Sequence, residues 1–174
     1  MGLPYWLASK NATMRYRTSD PSFLRHVSKW YDKMLPLLVP HLYVNGGPII
    51  MAQVENEYGS YAVIDDVYKT WLRDLFQHHL GPDLLLFTVD GDSNDYLSRG
   101  TIDHVYPTVD FGPGTKILES FSIQNLYSDG GPSVNTEYYT GWFDCWGSPH
   151  STNSLNDVVK SFDEMLAANA SVNL

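Results

Sequence analysis

Three carboxylates stand where short apolar runs of this chain end. Glu55 and Glu57 close the stretch GGPIIMAQVENEYGSY (Gly46 to Tyr61), and Glu137 lies in a second one, VNTEYYTGWFDCWG (Val134 to Gly147). Acidic side chains are rarely buried without partners, and titratable groups at strand ends tend to form sites. The plain structural alternative is a strand-end cluster of ion pairs. Two carboxylates at two strand ends suit glycoside hydrolysis, in which one carboxyl protonates the leaving oxygen and another attacks or stabilises the sugar cation. Tyr138, Tyr139, Trp142 and Trp146 follow Glu137. Their faces suit the C–H faces of a sugar ring, and their alternative role is core packing. The residues alone do not choose between Glu55 and Glu57.

The elements that must position these groups are legible from breakers and periodicity. Gly46-Gly47-Pro48 precedes one apolar run and Gly130-Gly131-Pro132 the other. Pro48 to Glu55 reads as a short buried strand. If extension persists, Gln53, Glu55 and Glu57 share one face and Asn56 takes the other. Further strands are expected at Leu84 to Val89, at Asp103 to Val109 (weakened by Pro107), at Ser133 to Glu137, and beginning at Val172. Asp20-Pro21 starts a helix whose apolar face is Phe23, Leu24, Val27, Trp30, Tyr31, Met34, Leu35 and Leu38. A second helix spans about Asp65 to His79, with Val67, Trp71, Leu72, Leu75 and Phe76 inward. Lys116 to Tyr127 is a third. A last helix, capped by Thr152 or Ser154, buries Val158, Val159, Phe162, Met165 and Leu166. Alternating strand and helix implies parallel strands joined by crossovers.

These stretches resemble the glycoside hydrolase family 35 β-galactosidases. The likeness is carried by GGPIIMAQVENEYGSY, by LPYWL near the start, and by LFTVDG, TVDFG, VNTEYYTGW and the closing SVNL. It runs in order over essentially the whole chain. The resemblance implies a (β/α)8 TIM-type barrel that hydrolyses with retention, using carboxylates after its fourth and seventh strands. A closed barrel takes roughly 250 residues, whereas this chain has 174. The expected fold is therefore α/β, an incomplete (β/α)8 barrel holding about strands four to seven and the start of eight, with residues 1–174 as one partial catalytic domain. An open Rossmann-like sheet would fit the length, but its glycine-rich phosphate turn is missing.

By the same resemblance Glu57 is the acid/base, Glu137 the nucleophile, and Asn56 the partner of the sugar 2-hydroxyl. Tyr139 and Trp142 then line the galactose pocket, with Tyr139 bonded to the nucleophile. Retention needs carboxyls about 5–5.5 Å apart, against roughly 6.5–9.5 Å for inversion. Tyr138 and Tyr58 read as core by alternation; Asp90 and Asp110 end strands at the expected active-site face as runner-up carboxylates, with loop caps as their plain role. Glu55 reads as a support for the site or a partner of a buried cation. The substrate class is a β-galactoside. The alternative is a catalytically inactive carbohydrate-binding or scaffold protein built from a truncated barrel. Another glycosidase of the same clan fits the wording of the first stretch less well.

Composition narrows the partners. A net charge of −9 argues against nucleic acid, which selects a basic face. No apolar run is long enough to span a membrane. The six histidines lack ligand spacing, so no metal or other cofactor is expected. The single cysteine, Cys145, has no internal disulfide partner and lacks an evident base. No signal peptide is visible; the family resemblance implies a lysosomal, vacuolar or extracellular setting. Asn11-Ala12-Thr13 is a glycosylation acceptor pattern.

Overall fold

Residues 2–174 are described by a computed structural model. The chain forms two compact units. One takes the chain as far as Val54 and again Ala62–Leu86; the other takes Glu55–Tyr61 and Phe87–Leu174.

The first unit is mainly helical. After the short helix α1 (Trp6–Lys10) comes α2 (Pro21–Leu38), started by Asp20, whose carboxylate accepts the N–H groups of Ser22 and Phe23. Pro36 lies inside the last turn of α2, and beyond it the chain tightens into 3₁₀ turns at Val39–His41 and Tyr43–Asn45. Strand β1 (Met51–Gln53) is only three residues long. Helix α3 (Asp66–Leu80) is capped by Asp65, whose Oδ1 accepts Tyr68 N–H while Oδ2 accepts both the N–H and the hydroxyl of Ser19 at 2.7 Å. One side chain thus ties the entry of α2 to the entry of α3. Phe23 against Tyr68 and Tyr31 against Phe76 continue that contact.

The apolar stripes are rotated from their expected positions. On α3 the buried residues are Tyr68, Lys69, Leu72, Phe76 and Leu80, and Val67 is exposed. On α2, Phe23 and Leu35 are buried and Trp30 is exposed. Leu72 and Phe76 of the expected α3 face are buried, and Tyr68 and Leu80 extend the seam beside them.

The strands are β1, β2 (Leu85–Gly91), β3 (Tyr106–Phe111), β4 (Val134–Tyr138) and β5 (Val172–Asn173). Their order in the sheet equals their order in the chain. The pairs β2–β3, β3–β4 and β4–β5 are parallel. Helices α4 (Asn94–Gly100), α5 (Ile117–Asn125) and α6 (Leu155–Ala167) fall between them. A doubly wound sheet would reverse strand order at a switch point. Unbroken chain order with helical crossovers is the α/β arrangement of a partial TIM-like barrel.

Two strands run further than expected. β2 continues through Asp90 and Gly91, and β3 is displaced to Tyr106–Phe111. Pro107 sits inside β3 facing Thr88, but the β3–β4 ladder starts only at Val109, so the missing N–H costs that ladder nothing. Helix α4 was hidden in a polar segment; Ser93 caps it by accepting Tyr96 N–H. The core of the second unit is Leu97, Val109, Phe111, Ile117, Phe121 and Met165. Of the expected apolar face of α6 only Met165 is fully buried; Val159, Phe162 and Leu166 are exposed.

Candidate active site

Every carboxylate that matters lies within the second unit. Strand β1 stops at Gln53, and the backbone then turns left-handed twice, at Glu55 (φ 68°) and at Glu57 (φ 47°). Extension does not persist, so the expected common face for Gln53, Glu55 and Glu57 does not form. Non-glycine residues at positive φ are uncommon, and each costs on the order of 1–3 kcal/mol. Local hydrogen bonds over-determine the turn. Glu55 Oε2 accepts Asn56 N–H at 2.9 Å, Glu57 N–H donates to the Val89 carbonyl at 2.8 Å, and Gly59 N–H donates to Asp90 Oδ1 at 2.7 Å. Arg99 adds a bond to the Tyr61 carbonyl. Glu57 therefore leads into a 3₁₀ turn (Tyr58–Ser60) anchored on the end of β2 and on α4. Tyr58 is 1 % exposed, in the core as expected.

Asp90 is not a loop cap. It is buried within β2 and holds the turn that carries Glu57. Gly100 makes room for it: a Cβ there would stand 2.1 Å from Asp90 Oδ1.

Glu137 is positioned from the other side. Val109 pairs with Asn135, but Asp110 pairs with Glu137, so β4 carries one extra residue at this point. The fully buried Asn135 serves the displaced backbone, its Oδ1 accepting Glu137 N–H at 2.9 Å. Beneath it, Gln124 bonds the Pro107 carbonyl and the Val134 N–H, joining β3 to β4. Partial burial, and then the negative charge of Glu57, raise the Glu137 carboxyl above the usual range. The charge of Glu57, some eighty positions away in the sequence, thus reaches Glu137.

A third carboxyl, a runner-up at the expected active-site face, lies within reach of both charges. Asp110 is 4 % exposed, inside β3 and not capping a loop. Its Oδ1 accepts the hydroxyl of Tyr139, and its Oδ2 is buried with no hydrogen-bond partner among the described residues. Burial pushes the Asp110 carboxyl up to about 7; the Tyr139 bond opposes this, and the charges of Glu57, Glu137 and Asp92 add to it. The Tyr139 phenol is itself raised, by burial and by its bond to Asp110. Its one hydroxyl proton goes to Asp110 rather than to Glu137, where it was expected. An acid placed mid-strand in the otherwise apolar TVDFG run was the available signal.

The aromatics divide. Tyr139 meets Trp142 edge-on, with ring centroids 5.4 Å apart, and Trp142 stays largely exposed. Tyr138 packs against the core and bonds the Val158 carbonyl, as expected, and Trp146 is fully exposed. Cys145 is exposed, and His150 pairs with Asp144. Among the described residues no cluster of His, Cys, Asp and Glu could hold a metal ion. No helix among them is long and apolar enough to cross a membrane.

A carboxylate whose charge reaches a second one, an asparagine beside the first and an aromatic pair beyond the second thus lie within one compact unit. The family model for glycosyl hydrolases family 35 matches residues 1–174. The chain belongs to this family. It is 50 % identical over 173 residues to a β-galactosidase of Macaca fascicularis, covering 99 % of this chain and 25 % of that protein. A β-galactosidase of Canis lupus familiaris is 51 % identical, with 99 % and 26 % covered. A β-galactosidase-1-like protein of Mus musculus is 47 % identical, again with 99 % and 26 % covered. This family 35 chain therefore spans about a quarter of the length of the relatives it matches.

Proposed function

We propose that this chain is the central part of the catalytic barrel of a β-galactosidase-like glycoside hydrolase. The reaction is retaining hydrolysis of terminal non-reducing β-D-galactosyl residues from β-galactosides. The observation that carries the reading is the pairing of Glu57 with Glu137 inside one compact unit, in a chain of family 35. The strands correspond to barrel strands four to seven with the start of eight, and residues 1–174 are one partial domain. A lysosomal, vacuolar or extracellular setting accords with this reading.

Glu57 is the acid that protonates the glycosidic oxygen and then the base that activates water; Glu137 attacks the anomeric carbon. Glu137 must be ionised to attack, so its raised carboxyl favours work above its own titration point. Having given its proton to the departing oxygen, Glu57 is left as the carboxylate that takes a proton from the attacking water, which then displaces Glu137 from the anomeric carbon. Asn56 bonds the sugar 2-hydroxyl, and Tyr139 with Trp142 forms a wall against the sugar's apolar face.

The test is the intact mass of the protein after incubation with a fluorosugar galactoside inactivator, followed by peptide mapping. One fluorosugar on Glu137 is expected. A folded protein that takes up no label overturns the catalytic reading and leaves a carbohydrate-binding role. A label on Glu57 or Glu55 overturns the assignment of roles.

A further inference from the structure

We propose that Asp110 is a positioning residue of this site, holding the Tyr139 ring by its hydroxyl and, through that ring, Trp142. The inference rests on the glycosidase reading for its purpose but on geometry for its substance. Asp110 is the register partner of Glu137, standing at the point where β4 gains its extra residue. Past that extra residue the parallel pairing resumes, with Tyr138 opposite Phe111. Beyond it Tyr138 N–H reaches the Leu174 carbonyl, and Tyr139 N–H makes a 3.3 Å bond to the Phe111 carbonyl.

Tyr139 is therefore held at three places. Its amide is on Phe111, its ring lies over Gly112, where a Cβ would come within 3.4 Å of Cδ2, and its hydroxyl is on Asp110. The hydroxyl bond is the one that sets the direction of the ring. Trp142 is largely exposed, and Tyr139 and Phe143 supply its ring contacts. Loss of the Asp110 bond frees Tyr139 to rotate about its side-chain bonds and leaves Trp142 without a fixed edge to rest on.

Burying a carboxyl here is costly, since Oδ2 has no partner among the described residues and Glu57, Glu137, Asp92 and Tyr139 face the group. An apolar side chain would fill β3 at lower cost. A carboxyl is retained where its acceptor is needed, and Tyr139 supplies the only hydrogen bond Asp110's side chain makes among the described residues.

The experiment compares the intact protein with Asp110→Asn, Asp110→Ala and Tyr139→Phe. The first readout is nitration by tetranitromethane, mapped to Tyr139 by peptide mass, which does not depend on galactoside chemistry. Tyr139 is expected to be protected in the parent and in Asp110→Asn, whose amide oxygen still accepts the phenol, and modified in Asp110→Ala. Equal nitration of the parent and Asp110→Ala overturns the proposal.

The second readout is the dissociation constant for deoxygalactonojirimycin. Asp110→Ala and Tyr139→Phe should each weaken it by roughly three- to tenfold, the scale of one hydrogen bond. The double variant should lose no more than either single one, because Asp110 acts through Tyr139. Asp110→Asn should recover most of the loss. Additive losses, or an Asp110→Ala protein that binds as the parent does, overturn the proposal. If the parent itself binds no such sugar, the glycosidase reading falls, and the nitration contrast alone decides the role of Asp110. Should Asp110→Ala fail to fold, Asp110→Asn against Tyr139→Phe gives the same contrast in affinity.

Discussion

Asp110 stands opposite Glu137 in the parallel register of β3 and β4, one step past an irregularity at which β4 carries an extra residue. That residue shifts the register by one before pairing resumes, and Asn135 takes over the Glu137 N–H. The result is a carboxylate at a strand end, with a buried acid on one flank and Glu57 within electrostatic reach.

If Glu57 and Glu137 divide the chemistry, neutral amides at the two positions should fail differently. Glu137→Gln should abolish turnover of p-nitrophenyl β-galactoside. Glu57→Gln should lower it by about 10²–10⁴-fold, the range for a lost general acid–base group, and added azide should restore release from this variant with retention, any azide product of Glu137→Gln being inverted. Azide rescue of neither variant, or of Glu137→Gln with retained stereochemistry, would contradict the roles.

Asp110 should make stability fall as pH rises across the acid-to-neutral range. Its carboxyl is raised from 3.8 to about 7 in the folded protein, so the folded state binds the proton more tightly than the unfolded one. The favourable contribution is complete below 3.8 and is lost as pH approaches about 7. The full displacement corresponds to at most about 4 kcal/mol. Glu137 is raised as well and adds a smaller effect of the same sign. Denaturant midpoints of Asp110→Asn between about pH 4 and 7 should vary clearly less than those of the parent. Parallel curves would refute the buried-acid assignment.

Gly59→Ala should damage the turn that carries Glu57. A Cβ at Gly59 would lie 2.0 Å from the Tyr96 carbonyl oxygen, which is backbone and cannot swing aside. The expected loss is about 1–3 kcal/mol, accompanied by a fall in turnover at temperatures where the variant is still folded. A variant as stable as the parent would mean that the turn and α4 are not in contact.

In the first unit, Asp65→Ala should cost about 1–2 kcal/mol, as loss of a helix cap does. Burial works against ionisation of Asp65, but the donors of Ser19 and Tyr68 outweigh it and hold the carboxyl below the usual range. This stabilisation is present above 3.8 and disappears as pH falls below it. Thermal unfolding at neutral pH should separate parent and variant, and in strong acid the gap should close. A gap that persists in acid would place the effect in packing instead.

Met165→Ala in α6 tests the core beneath Asn135 and Glu137. Met165 is fully buried in the cluster with Val109 and Phe111, and its sulfur lies 3.9 Å from Asn135 Nδ2. A loss of about 2–5 kcal/mol is expected. A change below 1 kcal/mol in a calorimetric or denaturant measurement would show that the site beneath Asn135 collapses freely.

By itself the sequence determined the α/β class, the alternation of parallel strands and helices, and the two stretches that carry Glu57 and Glu137. These features depend on local chemistry: breakers such as Gly46-Gly47-Pro48, capping by Asp20 and Asp65, and short apolar runs between them. It also separated Tyr138, which packs, from Tyr139, because side chains alternate along a strand. Only the tertiary structure decided that Glu55 and Glu57 turn left-handed, since that conformation is held by Val89 and Asp90, more than thirty residues away in sequence. The rotation of the helix stripes toward Tyr68 and Leu80 likewise depends on which helix face meets a neighbour. The burial of Asp110 and its bond to Tyr139 were beyond local reading for the same reason. An acid in an apolar strand shows that something holds it, but the Tyr139 hydroxyl reaches it only across strands brought together by folding.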